Sequence, residues 1–322
     1  MLPAGPSGAP PFKVEEAASA PEASGARAAI PSPQPALGGD RPAGPRAGEE
    51  REEIIIRPPG AFAHLHLAEL WRYRGTLWSK AWRRVRLQYD DMLLGLFWAV
   101  ARPLIMVVIF WALRDLAQAQ LGVTIPYPLY VYSGLAIWYF FTEATMAVAM
   151  SLQRDAGLIQ RVYYPRLLSP LSHLLGETYN LALAAVPFTA LALFFGEYPG
   201  WRLLLLPAVF LQLLLLTLGV GLTFSSFILK SRDWERVLRF GLYAGLWLSP
   251  VIYAVDMIPR RHTVLYLLNP MGGSLMAVRS ALFDRMPFPW TAWLYSLAMS
   301  VVLAGLGLLL FQRAERNLAD RI

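Results

Sequence analysis

The run LLLLPAVFLQLLLLTLGVGLTFSSFIL, residues 203–229, carries no charged residue and is the strongest membrane-span signal in the chain. A hydrocarbon core of roughly 30 Å demands about twenty predominantly apolar residues in a helix, and this run exceeds that. Outward from it the pattern repeats. Spans are expected at about 93–113, with Arg102-Pro103 inside, and at about 128–150, with Glu143 inside. A third, at about 167–195, is the least clean, holding Pro170, His173, Glu177 and Pro187. Two more follow at about 237–255 and 290–311. The 322-residue chain is 56% hydrophobic and 16% charged, with a mean hydropathy of +0.41, whereas soluble domains carry about 25% charged residues. The expected fold class is an all-α polytopic membrane protein with six transmembrane helices.

Residues 264–283 are too broken to span. Asn269-Pro270 and Gly272-Gly273 divide them into two short apolar pieces, so a re-entrant or interfacial helical hairpin is expected before the last span. Such a hairpin is tolerable at membrane depth only where protein or a wet cavity covers its freed backbone groups.

Three domains are expected. Residues 1–53 are rich in Pro, Ala and Gly, and have no aromatic residue beyond Phe12. They cannot bury enough apolar area to offset ordering entropy, so they read as a disordered cytoplasmic tail. No apolar region follows a basic start, as a signal peptide requires. Residues 54–92 hold a short extended segment at Ile54-Ile55-Ile56 and then an amphipathic helix over Leu67–Tyr89. Leu67, Leu70, Trp71, Leu77, Trp78, Trp82, Val85 and Tyr89 recur at three- and four-residue steps, with Arg72, Lys80, Arg83, Arg84 and Arg86 as the basic residues. Trp and Leu on one side with Arg and Lys on the other suit a helix lying in the membrane interface; a basic helix on a soluble partner is the alternative. Residues 93–322 form the six-span domain.

The formal charge of +7 hides an asymmetry: residues 1–53 contribute −3 and the remainder +10. Positive cytoplasmic loops explain this excess more simply than nucleic-acid binding. With the N-terminus inside, the inside segments 54–93, 151–166, 230–239 and 312–322 hold seventeen Lys/Arg, and the outside segments hold six. Both termini are therefore expected in the cytoplasm. Arg260, Arg261, Arg279 and Arg285 lie outside and ask for a reason.

Between the second and third spans lies RDAGLIQRVYYPR, residues 154–166. Leu158, Ile159 and Val162 share one face of a helical turn, Arg154, Arg161 and Arg166 flank it, and Pro165 ends the helix near Tyr164. This is either a docking surface or an interfacial loop whose apolar residues dip into headgroups.

Chemistry is sparse. No G-x-x-x-x-G-K-[ST] loop is present to cradle ATP phosphates, no G-x-S-x-G elbow to carry a nucleophile, and no cysteine. His64 and His66 sit two apart, pointing to different faces of a helix, which disfavours a metal site. Arg102, Glu143 and Glu177 fall within spans, where charge is costly and faces a partner or a cavity; Arg102 could equally snorkel to headgroups. Aromatic residues crowd the second span and its approach, as interfacial belts do, yet Trp138 and Tyr139 lie at hydrocarbon depth.

Several motifs resemble a known family when taken in order. A basic amphipathic helix leads into LGLFWAVARPL at 94–104; Tyr163-Tyr164-Pro165-Arg166 and Pro170 follow; then come Arg232-Asp233, LSPVIY at 248–253 and LNPM at 268–271. Together these resemble the permease subunits of type-2 ABC exporters, most closely the O-antigen and teichoic-acid polysaccharide exporters, over about residues 65–322. The resemblance implies a transport subunit that is not itself an enzyme and binds no cofactor, with ATP and Mg held by a partner. It implies a homodimer with two copies of a nucleotide-binding ATPase in the cytoplasmic (inner) membrane, moving a lipid-linked polysaccharide. Leu67–Tyr89 would be a gate helix, with Trp71, Trp78, Trp82, Arg83 and Arg86. Arg154, Asp155, Leu158, Ile159, Val162, Tyr163, Pro165 and Arg166 would form the ATPase-coupling helix. Leu265–Phe283 would be the re-entrant pair. Trp98, Trp111, Trp138 and Tyr139 are the candidates for an aromatic channel lining, and Trp138 is preferred because it shares a face with Phe141 and Thr145.

Three other readings stand beside this one. A drug or lipid exporter of the same fold would lack sugar-related partners. A lipid-linked glycosyl or phosphoryl transferase would need clustered acids for a divalent ion, and Asp90-Asp91 is the only adjacent Asp pair. A secondary carrier would show paired half-sequence repeats with interrupted spans, and no convincing repeat is present.

The charge count generates a topology test. Reporter fusions after Gln160 and after Leu318 should read cytoplasmic and one after Pro199 external; an external signal at Gln160 would overturn the orientation.

Overall fold

The computed structural model describes residues 71–90, 95–117, 125–159, 165–255 and 268–319. All lie in the unit from Pro59 to Ile322. The expected tail (1–53), the Ile54–Ile56 segment, the start of the amphipathic helix, Val162, Tyr163, Arg260 and Arg261 fall outside the described residues.

Every element among the described residues is helical: α1 (Arg74–Asp90), α2 (Gly95–Ala117), α3 (Tyr127–Ala149), α4 (Ser151–Arg154), α5 (Ala156–Ile159), α6 (Leu168–Phe194), α7 (Leu206–Ile228), α8 (Asp233–Leu248), α9 (Pro270–Leu282) and α10 (Trp290–Ala319), with a 3-10 turn at Trp201–Leu205 before α7. Leu168–Phe194, Trp201–Ile228 and Trp290–Glu315 are long and apolar enough to cross a membrane. They leave large apolar side chains such as Val186, Leu211, Val301, Val302 and Leu309 on the surface, where lipid is their natural contact. This is a membrane protein.

The prolines expected to disturb the third span do not break it. Pro170 is the third residue of α6, where backbone N–H groups have no helical acceptor anyway. Pro187 stays inside the continuous helix. At the centre stands α3, with 19 of its 23 residues buried, packed against α6 and α7.

Close approach of α7 and α10 depends on small residues. A Cβ on Gly219 would lie 2.5 Å from the Ala304 backbone nitrogen, and one on Gly307 would strike the Gly219 carbonyl. Small residues let membrane helices pack backbone to backbone where no hydrophobic effect drives them together. Gln212, fully buried in α7, donates from its amide nitrogen to Ser274 Oγ of α9 and Ser300 Oγ of α10, both at 2.9 Å. A polar amide within that apolar run thus ties three helices.

Two expectations need correction. The fifth span, expected over 237–255, is a helix that begins at Asp233 and stops at Leu248. Ser249 is extended, with ψ of 146°, as a residue before proline prefers. Gly272-Gly273 does not divide the apolar segment, and of the expected hairpin only α9 lies among the described residues. Asn269 caps α9, accepting from the Met271 N–H at 3.0 Å with Pro270 next to it, and both glycines lie in the first turn. Gly273 is there because α10 crosses at that point, where a Cβ would strike Ser296 Oγ and the Ala292 carbonyl.

The chain beyond Leu248 is held by Arg279, 2% exposed on α9. Its guanidinium donates to the carbonyls of Pro250 (2.7 Å), Val251 and Tyr130 (3.2 Å), and stacks on the Tyr130 ring. The Tyr130 hydroxyl donates to the Tyr253 carbonyl at 2.9 Å. This gives a structural role to Arg279, one of the four arginines expected outside. Arg285 has one too, pairing with Glu197 at 3.0 Å.

Gly219→Leu should therefore destabilise the α7–α10 contact by several kcal/mol, beyond ordinary overpacking at about 1–3 kcal/mol, because backbone would have to move. Gly305→Leu, at a position with nothing within 4 Å, should be tolerated. Thermal unfolding of the two variants in detergent checks the contrast.

Candidate functional site

The first helix of the described chain meets α6 through charge. On α1, Leu77, Lys80, Ala81, Arg84 and Val85 recur at three- and four-residue steps and form the face turned to the protein. On α6, Ser169, His173, Glu177 and Asn180 recur in the same way. The two stripes interlock. Lys80 Nζ donates to Asp155 Oδ2 at 2.9 Å and to Ser169 Oγ at 3.2 Å. Arg84 donates to Glu177 Oε1 at 2.9 Å and to His173 Nδ1. Asn180 donates to Glu177 Oε2 at 2.7 Å.

The histidine tautomer follows from its partners. Arginine has only donors, so Nδ1 of His173 accepts and Nε2 carries the proton. Nε2 faces Asp155 Oδ2 at 3.4 Å, so Asp155 is reached from α1 and α6 alike. Burial opposes ionisation of Asp155, but hydrogen bonds from His173, Lys80 and Ser169 outweigh it and hold the carboxyl well below the usual carboxylate range. Ionised Asp155 therefore contributes stability at every pH above the ordinary value near 3.9, which is lost only as pH falls through the lower folded value.

Beyond Asp155 the chain turns outward. Arg154, Ala156, Gly157 and Leu158 are exposed, and Leu158 is 40% accessible at the tip of α5. Ile159 closes α5, with its side chain outside the described set. Pro165 is half-buried. Arg166 turns away from the tip, donating to the Glu315 carbonyl of α10 at 3.0 Å with the Glu315 carboxylate 3.7 Å off. Among the described residues of 154–166, Asp155 and Arg166 are thus the anchors and Leu158 is exposed.

The aromatic and basic residues separate. Trp71, Trp78 and Trp82 are exposed, Trp82 meeting Tyr179 edge-on at 6.2 Å. Arg83 and Arg86 are exposed as well. The expected division of apolar against basic faces is corrected: Lys80 and Arg84 point into the protein, because Asp155 and Glu177 compensate them there. Trp98 lies on α2, with its side chain outside the described set, and Trp111 is half exposed on the same helix. Trp138, 4% exposed, packs on Phe141 at 5.7 Å and over Gly245 of α8. Its shared face with Phe141 and Thr145 is turned into the core. Tyr139 instead lines a cavity of about 560 Å³ together with Arg102, Glu143, Arg84 and Arg154. Arg102 pairs with Glu143 at 3.0 Å and lies 5.5 Å from the centre of the Tyr139 ring.

Sequence reasoning singled out neither His173 nor Lys80 and Arg84 as an interacting set. The available signal was two helical stripes of opposite charge at four-residue steps, Lys80/Arg84 and His173/Glu177.

Apolar helices with paired charges among them and lipid-suited surfaces define a polytopic helical membrane protein. Residues 76–283 match the ABC-2 type transporter family, and the chain belongs to that family. It is 26% identical over 243 residues to the O-antigen export system permease protein RfbA of Klebsiella pneumoniae, covering 73% of this chain and 90% of that protein. It is 26% identical over 258 residues to the protein of the same name from Myxococcus xanthus, covering 79% and 98%. The polysialic acid transport protein KpsM of Escherichia coli is 20% identical over 234 residues, covering 72% and 91%.

If Asp155 is the shared anchor, Lys80→Met and Asp155→Asn should not act independently. Equilibrium unfolding of the single and double variants should show a coupling of about 1 kcal/mol or more, as for half-buried charged hydrogen bonds. Additive losses would separate the two groups.

Proposed function

We propose that this chain is the permease subunit of an ATP-driven exporter that moves a lipid-linked polysaccharide of the O-antigen or teichoic-acid type across the cytoplasmic membrane. The family and the export and transport names of its relatives support this reading. The subunit works as a homodimer with two ATPase subunits, which bind ATP and Mg. Six spans are assigned to α2, α3, α6, α7, α8 and α10, with both ends of the chain in the cytoplasm.

One observation carries the division of labour. The loop after α3 presents an exposed apolar tip, Leu158, from a base fixed at Asp155 by α1 and α6. A tip that docks on a partner can pass a displacement onward only if its base is stiff, and this base is held by charged hydrogen bonds. The segment 154–166 is therefore assigned to ATPase coupling, with Leu158 and Ile159 in the contact. The exposed tryptophans of α1 suit the membrane interface, which assigns α1 as the gate helix. The α9 helix and the chain before it are assigned to a re-entrant pair. Among the candidate channel aromatics whose side chains are described, Trp111 is half exposed and is kept for the substrate path, while the Tyr139 ring faces a separate polar cavity.

Leu158→Asp puts a charge into the proposed contact, where an unpaired buried charge costs several kcal/mol. The variant should insert normally, lose association with the partner ATPase on co-purification, and lose surface polysaccharide. Unchanged association and export would make the segment an interfacial loop.

A further inference from the structure

The polar cavity beside Tyr139 does not end where the polar residues end. A second cavity of about 570 Å³ lies between α3, α6, α7 and α9, walled by residues such as Ile137, Phe188, Phe210, Leu213 and Leu282. Ala136, Leu181 and Ala184 line both cavities, so the two meet along the α3–α6 seam. The result is one groove with a charged end and a hydrocarbon end. That is the shape of an amphiphile's site.

The charges define the head that fits. Three guanidiniums, Arg84, Arg102 and Arg154, face two carboxylates, Glu143 and Glu177, leaving a net charge of +1. Arg84 is engaged by Glu177 and Arg102 by Glu143. Arg154 has no ion-pair partner among the described residues and is exposed. One uncommitted guanidinium matches the single negative charge of a phosphodiester better than the multiple charge of a diphosphate. Depth agrees: Arg154 lies just past the end of α3, where headgroups are expected. The apolar chamber runs beside Leu206–Leu213, within the uncharged stretch of α7.

We propose that this groove holds one acyl chain of an anionic glycerophospholipid, its phosphate on Arg154 and its hydrocarbon between α3, α6 and α7. The occupant is a lipid of the surrounding bilayer and not the exported substrate, so the proposal stands apart from the export reading. Ala136 and Ala184 make the passage between the two chambers by being small. The phosphate gains a charge-assisted hydrogen bond at one end, and the chain gains protein contact at the other.

The test reads retained lipid. The full chain is reconstituted in nanodiscs of equal parts phosphatidylethanolamine and phosphatidylglycerol, re-extracted in detergent, washed, and its bound lipid identified by mass spectrometry. Phosphatidylglycerol should be enriched over phosphatidylethanolamine, and Arg154→Gln should cut that enrichment about tenfold. Ala136→Phe should reduce both lipids, whereas Ala182→Phe, on the exposed side of α6, should change neither. Should Ala136→Phe fail to accumulate, Arg154→Gln at an exposed position decides alone. Wild-type enrichment in Arg154→Gln, or equal retention of the two lipids by the wild type, would overturn the proposal. A polyprenyl diphosphate displacing phosphatidylglycerol when both are supplied would also overturn it, and would give the groove to the substrate. None of these outcomes depends on export activity.

Discussion

Inside a bilayer a carbonyl that leaves a helix finds no water, and each one left unpaired costs several kcal/mol. This protein ends α8 at Leu248 and runs on through Ser249–Tyr253 without a helical ladder, which creates a need for other donors there. Arg279 meets it. A single guanidinium on α9 collects the carbonyls of Pro250, Val251 and Tyr130, and its flat face rests on the Tyr130 ring. The positions of α3, α8 and α9 are thereby linked, and Gly134 is the residue that leaves room for the linkage, since a Cβ there would strike both Arg279 and the Val251 carbonyl. A lysine would offer a point charge without the planar fork, so the clamp calls for arginine.

The same rule of compensation governs the other end of the bundle. Lys80 and Arg84 enter the protein only because Asp155 and Glu177 are there to receive them, with His173 bridging between. The network joins three separate pieces of chain: α1, the loop after α3, and α6. In the proposed exporter, force arriving at Leu158 would reach α1 through Asp155 and Lys80, and α6 through the same carboxylate and His173. The coupling loop and the gate helix then move as one body. Arg166 adds a second root, to the end of α10.

Helix packing relies on neither of these. Between α7 and α10 the contact is made by absence of side chain, at Gly219 and Gly307, and by the Gln212 hydrogen bonds to Ser274 and Ser300. Lipid competes as well as leucine does for an apolar surface, so closeness and a few polar ties must replace the hydrophobic drive that holds soluble cores together.

Much of the architecture was readable from the chain itself. Membrane residence, the helical class, and the position of α7 followed from runs of apolar residues, because the thickness of the hydrocarbon core sets a length that local composition either meets or does not. The family was readable too, from motifs carried in order. Pairings were not. Pro170 made the third span read as unclean and is harmless at a helix start; Gly272-Gly273 read as a divide between two apolar pieces and is a crossing point for α10. Trp138 is buried within the chain, while its neighbour Tyr139, turned by about 100° on the same helix, lines a cavity. Lys80 and Arg84 read as part of the basic side of an interfacial helix and are half-buried on carboxylates roughly 75 to 93 residues away in sequence. A residue's own segment determines whether it can lie in a membrane helix. Which neighbour neutralises its charge, accepts its hydrogen bond or fills the space beside it depends on how distant segments pack, and only the tertiary structure decides that.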